Sequence, residues 1–487
     1  MMLILLPLLA AAAADTSSPT PTPTPAIAAP APVTEALATA ATGTRIGLLV
    51  VDEAGREIVA IRPDDRFVPA SNTKLFTTAA AFAMLETEGA DTAAGASVRL
   101  EPRGALRDVV LVGAGDARLS SARDCTNDCL ATLVDAVARE TKVVGDVIGD
   151  DTAFPDERWP AGMSWNNMVG RYGTAVSALT MDDNEVALTV RPGRAGGAPE
   201  VSGDGYYRID NRVVTVPAGG KRSIGYMREP GSDLLRLTGT IPADASPYEV
   251  RLGVDDPAHR AAWRFAELLR SAGVRVTGKV GVRHRPVMPA DDPKVRGNAP
   301  AARPPEVPAL ARLTPAPLRE DLVHTNKVSQ NLHTELLLRR VGAVSGSGSV
   351  ADGHAAMDAV LERAGIQRRQ YDFGDGSGMS NYNRVTPRAS VRLLRWGAEQ
   401  PWGAAWRETF PIAGKDGTLA NRFKGTALEG RLFAKTGTLN ASNALAGYFT
   451  TATGRTFTFA AYANDMPGDV SATASLDAAL VAVAAAN

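Results

Sequence analysis

The first regular pattern of apolar residues along the chain is strand-like. Residues 46–52 (I-G-L-L-V-V-D) and 57–62 (E-I-V-A-I-R) are short apolar runs joined through a glycine turn, which predicts a β-hairpin. After them Leu75, Ala79 and Phe82 recur at helical spacing. A proline just upstream is typical of a helix start, so we expect a long helix there.

The pattern changes between residues 96 and 307. Short Val-rich and Leu-rich runs alternate with Gly and Pro, and they predict strands at 109–116, 184–190 and 248–254. We therefore expect β-rich material inserted between two parts of a more helical domain.

Helical spacing returns in the last third of the chain. It predicts helices over 318–341, 351–364 and 387–397, and then three consecutive strands and an alanine-rich helix. The three strands are expected at residues 431–438, 444–451 and 456–464.

The amino terminus indicates export. Residues 1–14 are almost continuously apolar, too short to span a bilayer, and end in small residues, which predicts a signal peptide. Residues 15–38 are rich in Pro, Thr and Ala and predict an extended linker. We expect a periplasmic or otherwise extracytoplasmic protein, with peripheral membrane contact at most.

Composition excludes some functions. The 487 residues include 52 Lys and Arg against 53 Asp and Glu, so the net charge of -1 gives no basic field for nucleic acid. With 45% hydrophobic residues, a sizeable core is expected. Cys125 and Cys129 cannot form a two-pair zinc site. After export they could form a local disulfide or remain inert thiols.

The first candidate chemical motif is S-N-T-K at the start of the first predicted helix. Ser71 and Lys74 stand three residues apart, so their side chains share one helix face. A buried lysine with a lowered pKa can take the proton of a serine and make it a nucleophile. Alone, such a pair is more often solvated surface.

Two further motifs are weak evidence of a catalytic site when taken alone and become informative together with the first motif. Ser329 and Asn331 belong to S-Q-N, and two residues so spaced serve one site only from a turn between helices. K-T-G-T begins at Lys435, at the end of a predicted strand, where Gly437 would allow a ligand close to the backbone. An edge strand there could pair with a peptide substrate.

In this order the three motifs resemble those of penicillin-binding proteins and serine β-lactamases. The long β-rich interval after the first motif resembles class C penicillin-binding proteins, the family S13 D-alanyl-D-alanine carboxypeptidases. Four further segments fit that family, and the similarity covers roughly residues 40–487. The segments are G-A-G-D (113–116), D-G-S-G-M-S (375–380), N-R-V-T-P (383–387) and A-G-K-D-G-T-L (413–419).

The resemblance implies an α/β (α+β) transpeptidase-like domain of the penicillin-binding-protein and serine β-lactamase type, with two nested β-rich domains. The catalytic domain would comprise residues 39–95 and 308–487. The outer inserted domain would comprise 96–192 and 259–307, and the nested one 193–258.

The resemblance also implies roles for the motif residues. Ser71 would be the acylated nucleophile, Lys74 its general base, and Ser329 the group that passes a proton to the leaving D-alanine. The substrate would be held by Asn331, Lys435, Thr436, Gly437 and Thr438, and the backbone N–H groups of Ser71 and Thr438 would form the oxyanion hole. The substrates would be peptidoglycan stem peptides, and β-lactams would be covalent inhibitors. The reaction would need no metal or organic cofactor. The five histidines lie outside the motifs, and His324 and His333, which flank Ser329, are expected to be packed or solvated rather than catalytic.

Four positions depart from the family pattern. Gln330 replaces an acid in the second motif, which costs little because that side chain usually points away from the chemistry. Asn381 stands where many relatives have arginine, and Asn166 and Asn167, beside Trp165, stand where acidic residues are frequent. We expect these positions to affect recognition of the substrate side chain.

Two other functions compete with this interpretation. A serine β-lactamase would use the same three motifs but usually needs a further residue to activate water, and no such Glu or Tyr motif stands out. A non-catalytic wall-binding scaffold could lose the nucleophile or the base, yet both are present.

Overall fold

The structure is a computed structural model that describes residues 30–305 and 307–487. The predicted signal peptide lies outside these residues, as does the linker up to residue 29. The rest of the predicted linker differs from an extended chain, because residues 31–37 form a helix. Val33 and Leu37 lie one turn apart and are buried against the C-terminal helix.

Twenty strands are assigned in the described residues. In chain order they are β1 (Arg45–Val51), β2 (Glu57–Ile61), β3 (Ser97–Arg103), β4 (Leu106–Val112), β5 (Val143–Val144), β6 (Val147–Pro155), β7 (Glu185–Arg191), β8 (Glu200–Ser202), β9 (Arg208–Val216), β10 (Ser223–Met227), β11 (Leu234–Pro242), β12 (Tyr248–Gly253), β13 (Arg275–Val276), β14 (Val280–Arg285), β15 (Ala311–Arg312), β16 (Tyr371–Asp372), β17 (Arg384–Val385), β18 (Leu432–Leu439), β19 (Ser442–Thr450) and β20 (Thr456–Asn464).

Eleven α-helices accompany these strands in the described part of the chain. They are α1 (Ala31–Leu37), α2 (Thr73–Met84), α3 (Leu130–Glu140), α4 (Pro257–Ser271), α5 (Pro293–Arg296), α6 (Leu318–Val328), α7 (Asn331–Ala343), α8 (Val350–Arg363), α9 (Pro387–Ala398), α10 (Gly403–Glu408) and α11 (Thr473–Ala485). None of these helices is long and apolar enough to cross a bilayer.

The central element is a five-stranded antiparallel sheet with the order β18-β19-β20-β1-β2. Its faces are covered by different helices, and β1 shows why. Leu48 and Val50 point into the core shared with α1 and α11, whereas Leu49 and Val51 point into the core shared with α2 and α9. Successive strand residues face opposite sides, so a nearly continuous apolar strand is buried on both faces.

The inserted β-rich material forms two parts. The outer part is a mixed sheet, β14-β6-β4-β3-β15, packed against α3 and α4. The inner part consists of two three-stranded sheets, β12-β7-β8 and β10-β11-β9, joined by one apolar core that includes Leu188, Leu237 and Leu252.

Two strands pair with a part of the molecule other than the one to which the expected domain boundaries assign them. β7 pairs with β8 and β12 of the inner part, although the nested domain was expected to begin at residue 193. β15 pairs with β3 of the outer sheet, although the catalytic domain was expected to resume at residue 308. In both cases the position of the strand is set by pairing with strands that are distant in sequence. The local sequence pattern does not reveal such pairing.

The helical pattern expected over 318–341 is interrupted. α6 ends at Val328 and α7 begins at Asn331, because Ser329 adopts the left-handed backbone conformation with φ 64°. A non-glycine residue rarely takes this conformation, which ends a helix and redirects the chain.

Candidate active site

Ser71 is presented by a short turn that runs directly into the buried helix α2. A 3₁₀ turn over Ala70–Asn72 precedes Thr73, the first residue of α2. Lys74 is fully buried, and its Nζ lies 3.1 Å from Ser71 Oγ. The structure therefore brings together the predicted nucleophile, Ser71, and its predicted base, Lys74.

Two further oxygens fix the Lys74 side chain. Its Nζ donates to Asn331 Oδ1 and to the Ser377 carbonyl oxygen, each at 2.6 Å. Burial lowers the pKa of Lys74 to about 7, although the charges of Asp375 and Glu335 partly offset that effect. A neutral amine beside Ser71 is thus accessible near neutral pH.

The turn between α6 and α7 brings Ser329 and Asn331 to the same site. The left-handed conformation at Ser329 reverses the chain direction, so both residues reach the pocket although they stand two apart. Gln330 lies between them and caps α7, its side chain accepting from the Leu332 N–H at 3.1 Å. Its side chain is therefore used in the helix cap.

Asn331 uses both ends of its amide. While Oδ1 accepts from Lys74, Nδ2 donates to the Tyr172 carbonyl oxygen at 2.9 Å. A substrate carbonyl predicted to bind this NH₂ group would therefore share or replace the bond to Tyr172. The sequence did not indicate Tyr172, because it lies in the inserted region far from every motif.

Lys435 connects the third motif to the second. Its Nζ donates to Ser329 Oγ and to the Thr436 carbonyl oxygen, each at 2.9 Å. Burial and the nearby charge of Lys74 hold the pKa of Lys435 well below its usual range. Asn72 Nδ2 donates to the Lys435 carbonyl oxygen at 2.8 Å and so joins this strand to the turn that carries the nucleophile.

The rest of the K-T-G-T motif forms one wall of the site. β18 is an edge strand of the central sheet, as the peptide-pairing interpretation requires. Thr436 Oγ1 donates to Thr418 Oγ1 at 2.7 Å, and Thr438 is exposed. A Cβ at Gly437 would lie 2.6 Å from the Pro69 carbonyl oxygen and 3.2 Å from the Ser71 nitrogen.

Glu335 and Asp375 lie beneath Lys74, and the sequence predicted no role for either residue. Glu335 Oε1 accepts from the Gly376 and Ser377 N–H groups at 3.0 and 2.9 Å and so holds the loop whose carbonyl oxygen contacts Lys74. Asp375 accepts from the Gly378 and Ser380 N–H groups of the same loop, and burial and the charge of Glu335 raise the pKa of Asp375. The only sequence signal was the D-G-S-G-M-S segment, which matched the family without indicating this contact.

The possible specificity residues lie on two touching loops. Asn381 is exposed, and both its backbone N–H and its Nδ2 donate to the Gly162 carbonyl oxygen, at 2.9 and 3.2 Å. Trp165 is 69% exposed, and Asn167 is partly buried in the same short 3₁₀ turn. The loop of Asn381 thus contacts the segment of the inserted region that also carries Trp165 and Asn167.

Cys125 and Cys129 are joined by a disulfide in the outer inserted part. Of the two possibilities left open by the sequence, the structure contains the local disulfide.

Comparison with known proteins identifies strong similarity over almost the whole chain. The sequence model described as the D-Ala-D-Ala carboxypeptidase 3 (S13) family matches residues 30–487. The chain is 37% identical over 436 residues to a D-alanyl-D-alanine carboxypeptidase from an Actinomadura species, covering 84% of this chain and 76% of the relative. It is 24% identical over 440 residues to the D-alanyl-D-alanine carboxypeptidase DacB of Haemophilus influenzae, covering 87% and 86% of the two chains.

A solved structure shows the same architecture. Penicillin binding protein 4 (dacB) from Haemophilus influenzae matches with a TM-score of 0.78 at 20% identity, covering 93% of this chain and 98% of that one. The same protein complexed with a novel β-lactam matches with a TM-score of 0.71 at 19% identity, with the same coverage. The likeness confirms the predicted α/β fold with additional β-rich sheets.

Proposed function

The chain belongs to the D-Ala-D-Ala carboxypeptidase 3 (S13) family of serine peptidases, and we propose that it works through an acyl-enzyme on Ser71. The substrates are peptidoglycan stem peptides that end in D-alanyl-D-alanine, and β-lactams are covalent inhibitors. The observation that carries this proposal is the buried Lys74 Nζ, 3.1 Å from Ser71 Oγ, with a pKa lowered to about 7 by burial.

Acylation begins when the neutral Lys74 amine takes the proton from Ser71 Oγ. The oxygen attacks the carbonyl carbon of the penultimate D-alanine, and the negative charge passes to the carbonyl oxygen. Donors that are already in place stabilise this charge more effectively than water that must reorient. The N–H groups of Ser71 and Thr438 are the proposed donors, supported by the close approach of β18 to the Ser71 nitrogen at Gly437.

Collapse of the intermediate breaks the peptide bond and leaves the acyl group on Ser71 Oγ. The departing amine needs a proton, which Ser329 Oγ delivers. Ser329 regains a proton from Lys435, and Lys435 regains the one that Lys74 took from Ser71, so that Lys74 is neutral again. Ser329 Oγ lies 2.9 Å from Lys435 Nζ, which supports this route. Water then attacks the acyl carbon, and the bond from that carbon to Ser71 Oγ breaks. One proton of the water passes through Lys74 to Ser71 Oγ, and the shortened peptide leaves with a terminal carboxyl group.

The substrate is expected to bind along the wall of the site that the K-T-G-T motif on β18 forms. The edge strand β18 offers its backbone to an extended peptide, and Asn331 binds a backbone carbonyl of the substrate. Thr436, Thr438 and Lys435 bind the terminal carboxylate. A carboxylate beside Lys435 would raise the pKa of that lysine again and keep it positively charged.

The same chemistry acts on a terminal D-alanine or on a D-alanyl bond that cross-links two stem peptides. The enzyme is therefore a carboxypeptidase, an endopeptidase or both. The proposed location is the periplasm or another extracytoplasmic space, based on the apolar residues 1–14. Every proton transfer in this scheme uses side chains of the chain itself.

A gel-based assay with fluorescent penicillin tests the proposal. The wild type should show stable labelling, Ser71→Ala should show none, and Ser202→Ala, at an exposed position on β8, should label like the wild type. Transient labelling of the wild type would indicate a β-lactamase, and no labelling would indicate a scaffold. Labelling of Ser71→Ala at the wild-type rate would show that another residue is the nucleophile.

A further inference from the structure

Two histidines and an aspartate converge outside the acylation site. Asp183 lies in a 3₁₀ turn of the inserted region, His324 on α6 and His333 near the start of α7. One ligand atom from each residue lies within 4.8 Å of the other two, and the imidazole centroids are 5.3 Å apart. His324 and His333 flank the turn at Ser329, whereas Asp183 comes from the inserted region, so tertiary folding brings Asp183 to the two histidines.

A fourth residue fixes the orientation of His333. Asp321 and His333 are both buried, and Asp321 Oδ1 lies 2.5 Å from His333 Nδ1. The other ring nitrogen, Nε2, therefore faces Asp183, whose Oδ1 lies 2.8 Å away. A carboxylate behind one ring nitrogen is the usual way in which a histidine is oriented towards a metal ion.

We propose that Asp183, His324 and His333 bind one Zn²⁺ ion, with water as the fourth ligand. In a tetrahedral zinc site, ligand atoms lie about 2.0 to 2.1 Å from the ion and about 3.4 Å from one another. His324 is exposed, so its ring has room to move from within 4.8 Å to the shorter ligand spacing when the ion binds. The His333 Nε2–H bond breaks, its proton passes to solvent, and the nitrogen lone pair forms the bond to zinc.

Imidazole and carboxylate ligands favour zinc over magnesium or calcium, which prefer oxygen ligands alone. The backbone also positions Asp183 independently of a metal. Asn184 Oδ1 accepts from the Met181 N–H at 3.1 Å and closes the tight turn that contains Asp183. The ion would thus connect this turn to both helices that flank Ser329.

His284 provides a contrast elsewhere in the inserted region. It also lies between two carboxylates, at 2.9 Å from Asp151 and 3.2 Å from Asp256. However, the guanidinium of Arg158 lies 3.0 Å from His284 Nε2, so a cation already occupies the position that a metal would take. His284 therefore serves as the matched control.

The experiment uses the chain without a histidine tag, treated with EDTA, and adds Zn²⁺ alone. We expect zinc to raise the Tm of the wild type by roughly 2 to 5 °C. Co²⁺, as a probe in place of zinc, should give visible absorption bands at one equivalent. His324→Ala should lose both responses yet keep penicillin labelling, and His284→Gln should keep both responses.

The absence of a Tm shift in the wild type at a large molar excess of zinc would overturn the proposal. So would equal shifts in the wild type and His324→Ala, because the ion would then bind elsewhere. Penicillin labelling in the same samples tests the acylation mechanism separately, since none of the three zinc ligands belongs to that site.

Discussion

Lys74 Nζ lies 3.1 Å from Ser71 Oγ, one helical turn away at the entrance to α2. Lys74 is completely buried, and burial lowers its pKa to about 7. The amine can therefore accept a proton at neutral pH, which an exposed lysine rarely does. This relationship leads to two predictions.

Replacing Lys74 by arginine should inactivate acylation almost as completely as Lys74→Ala. A guanidinium stays protonated and cannot take the serine proton, although it keeps the positive charge. The measurement is the rate of penicillin labelling, with the Tm of each variant as the control for folding. Substantial activity of Lys74→Arg in a folded protein would show that another group acts as the base.

The acylation rate should rise with pH through about 7 and then level off. Only the neutral amine accepts a proton, and its fraction falls tenfold for each pH unit below the pKa of Lys74, which burial places at about 7. At pH 5 the rate should therefore be about a hundredfold below its plateau. The labelling rate is measured from pH 5 to 9 while the Tm is followed over the same range. A flat profile, or a rate that falls with rising pH, would contradict the base role.

Gly437→Ala should slow acylation by roughly a hundredfold, because small displacements of reacting groups have effects of this size. The added Cβ would lie 2.6 Å from the Pro69 carbonyl oxygen and press on the turn that presents Ser71. Gly281→Ala is the matched control, since a Cβ on Gly281 of β14 would meet nothing within 4 Å. Equal acylation rates in the two variants would argue against the close approach of β18 to Ser71.

Asn381→Arg should increase the preference for stem peptides with a free side-chain carboxylate. The wild type, which has an amide at this exposed position, should discriminate weakly between free and blocked side-chain termini. One charge-assisted hydrogen bond is worth about 1.5 to 3 kcal/mol, which limits the gain to around a hundredfold.

The measurement is kcat/KM for a pentapeptide whose diamino-acid side chain ends in a free carboxylate, and for the same peptide with that side-chain terminus blocked. Asn298→Arg, at another exposed position, controls for the added charge. A wild-type preference above a hundredfold for the free peptide, unchanged in Asn381→Arg, would disprove this specificity hypothesis.

Limited proteolysis should cut first within residues 286–308 or 195–198. These stretches are rich in Gly, Pro and Ala, and most of their residues are exposed, so a protease reaches them without unfolding a core. Mass spectrometry of the earliest fragments identifies the sites. First cuts within residues 75–85, most of which belong to the buried helix α2, would count against the proposed division into a catalytic domain and inserted β-rich domains.

The sequence by itself determined the local elements and the chemical motifs. The apolar spacing around Leu75 predicted α2, and the alternating runs near the carboxyl terminus predicted β18, β19 and β20. The order of the three motifs identified the family. These features depend on the period of a helix or a strand and on the chemistry of short segments, which a linear sequence contains directly.

Only the tertiary structure decided which distant residues meet. The left-handed conformation of Ser329 directed both Ser329 and Asn331 to the site of Lys74, and strand pairing placed β7 with the inner sheets. Glu335 below Lys74 and the Asp183 contact with His333 were likewise invisible in the local pattern. Such contacts depend on how sheets and helices pack over long sequence separations, and the period of an individual segment does not specify its distant partner.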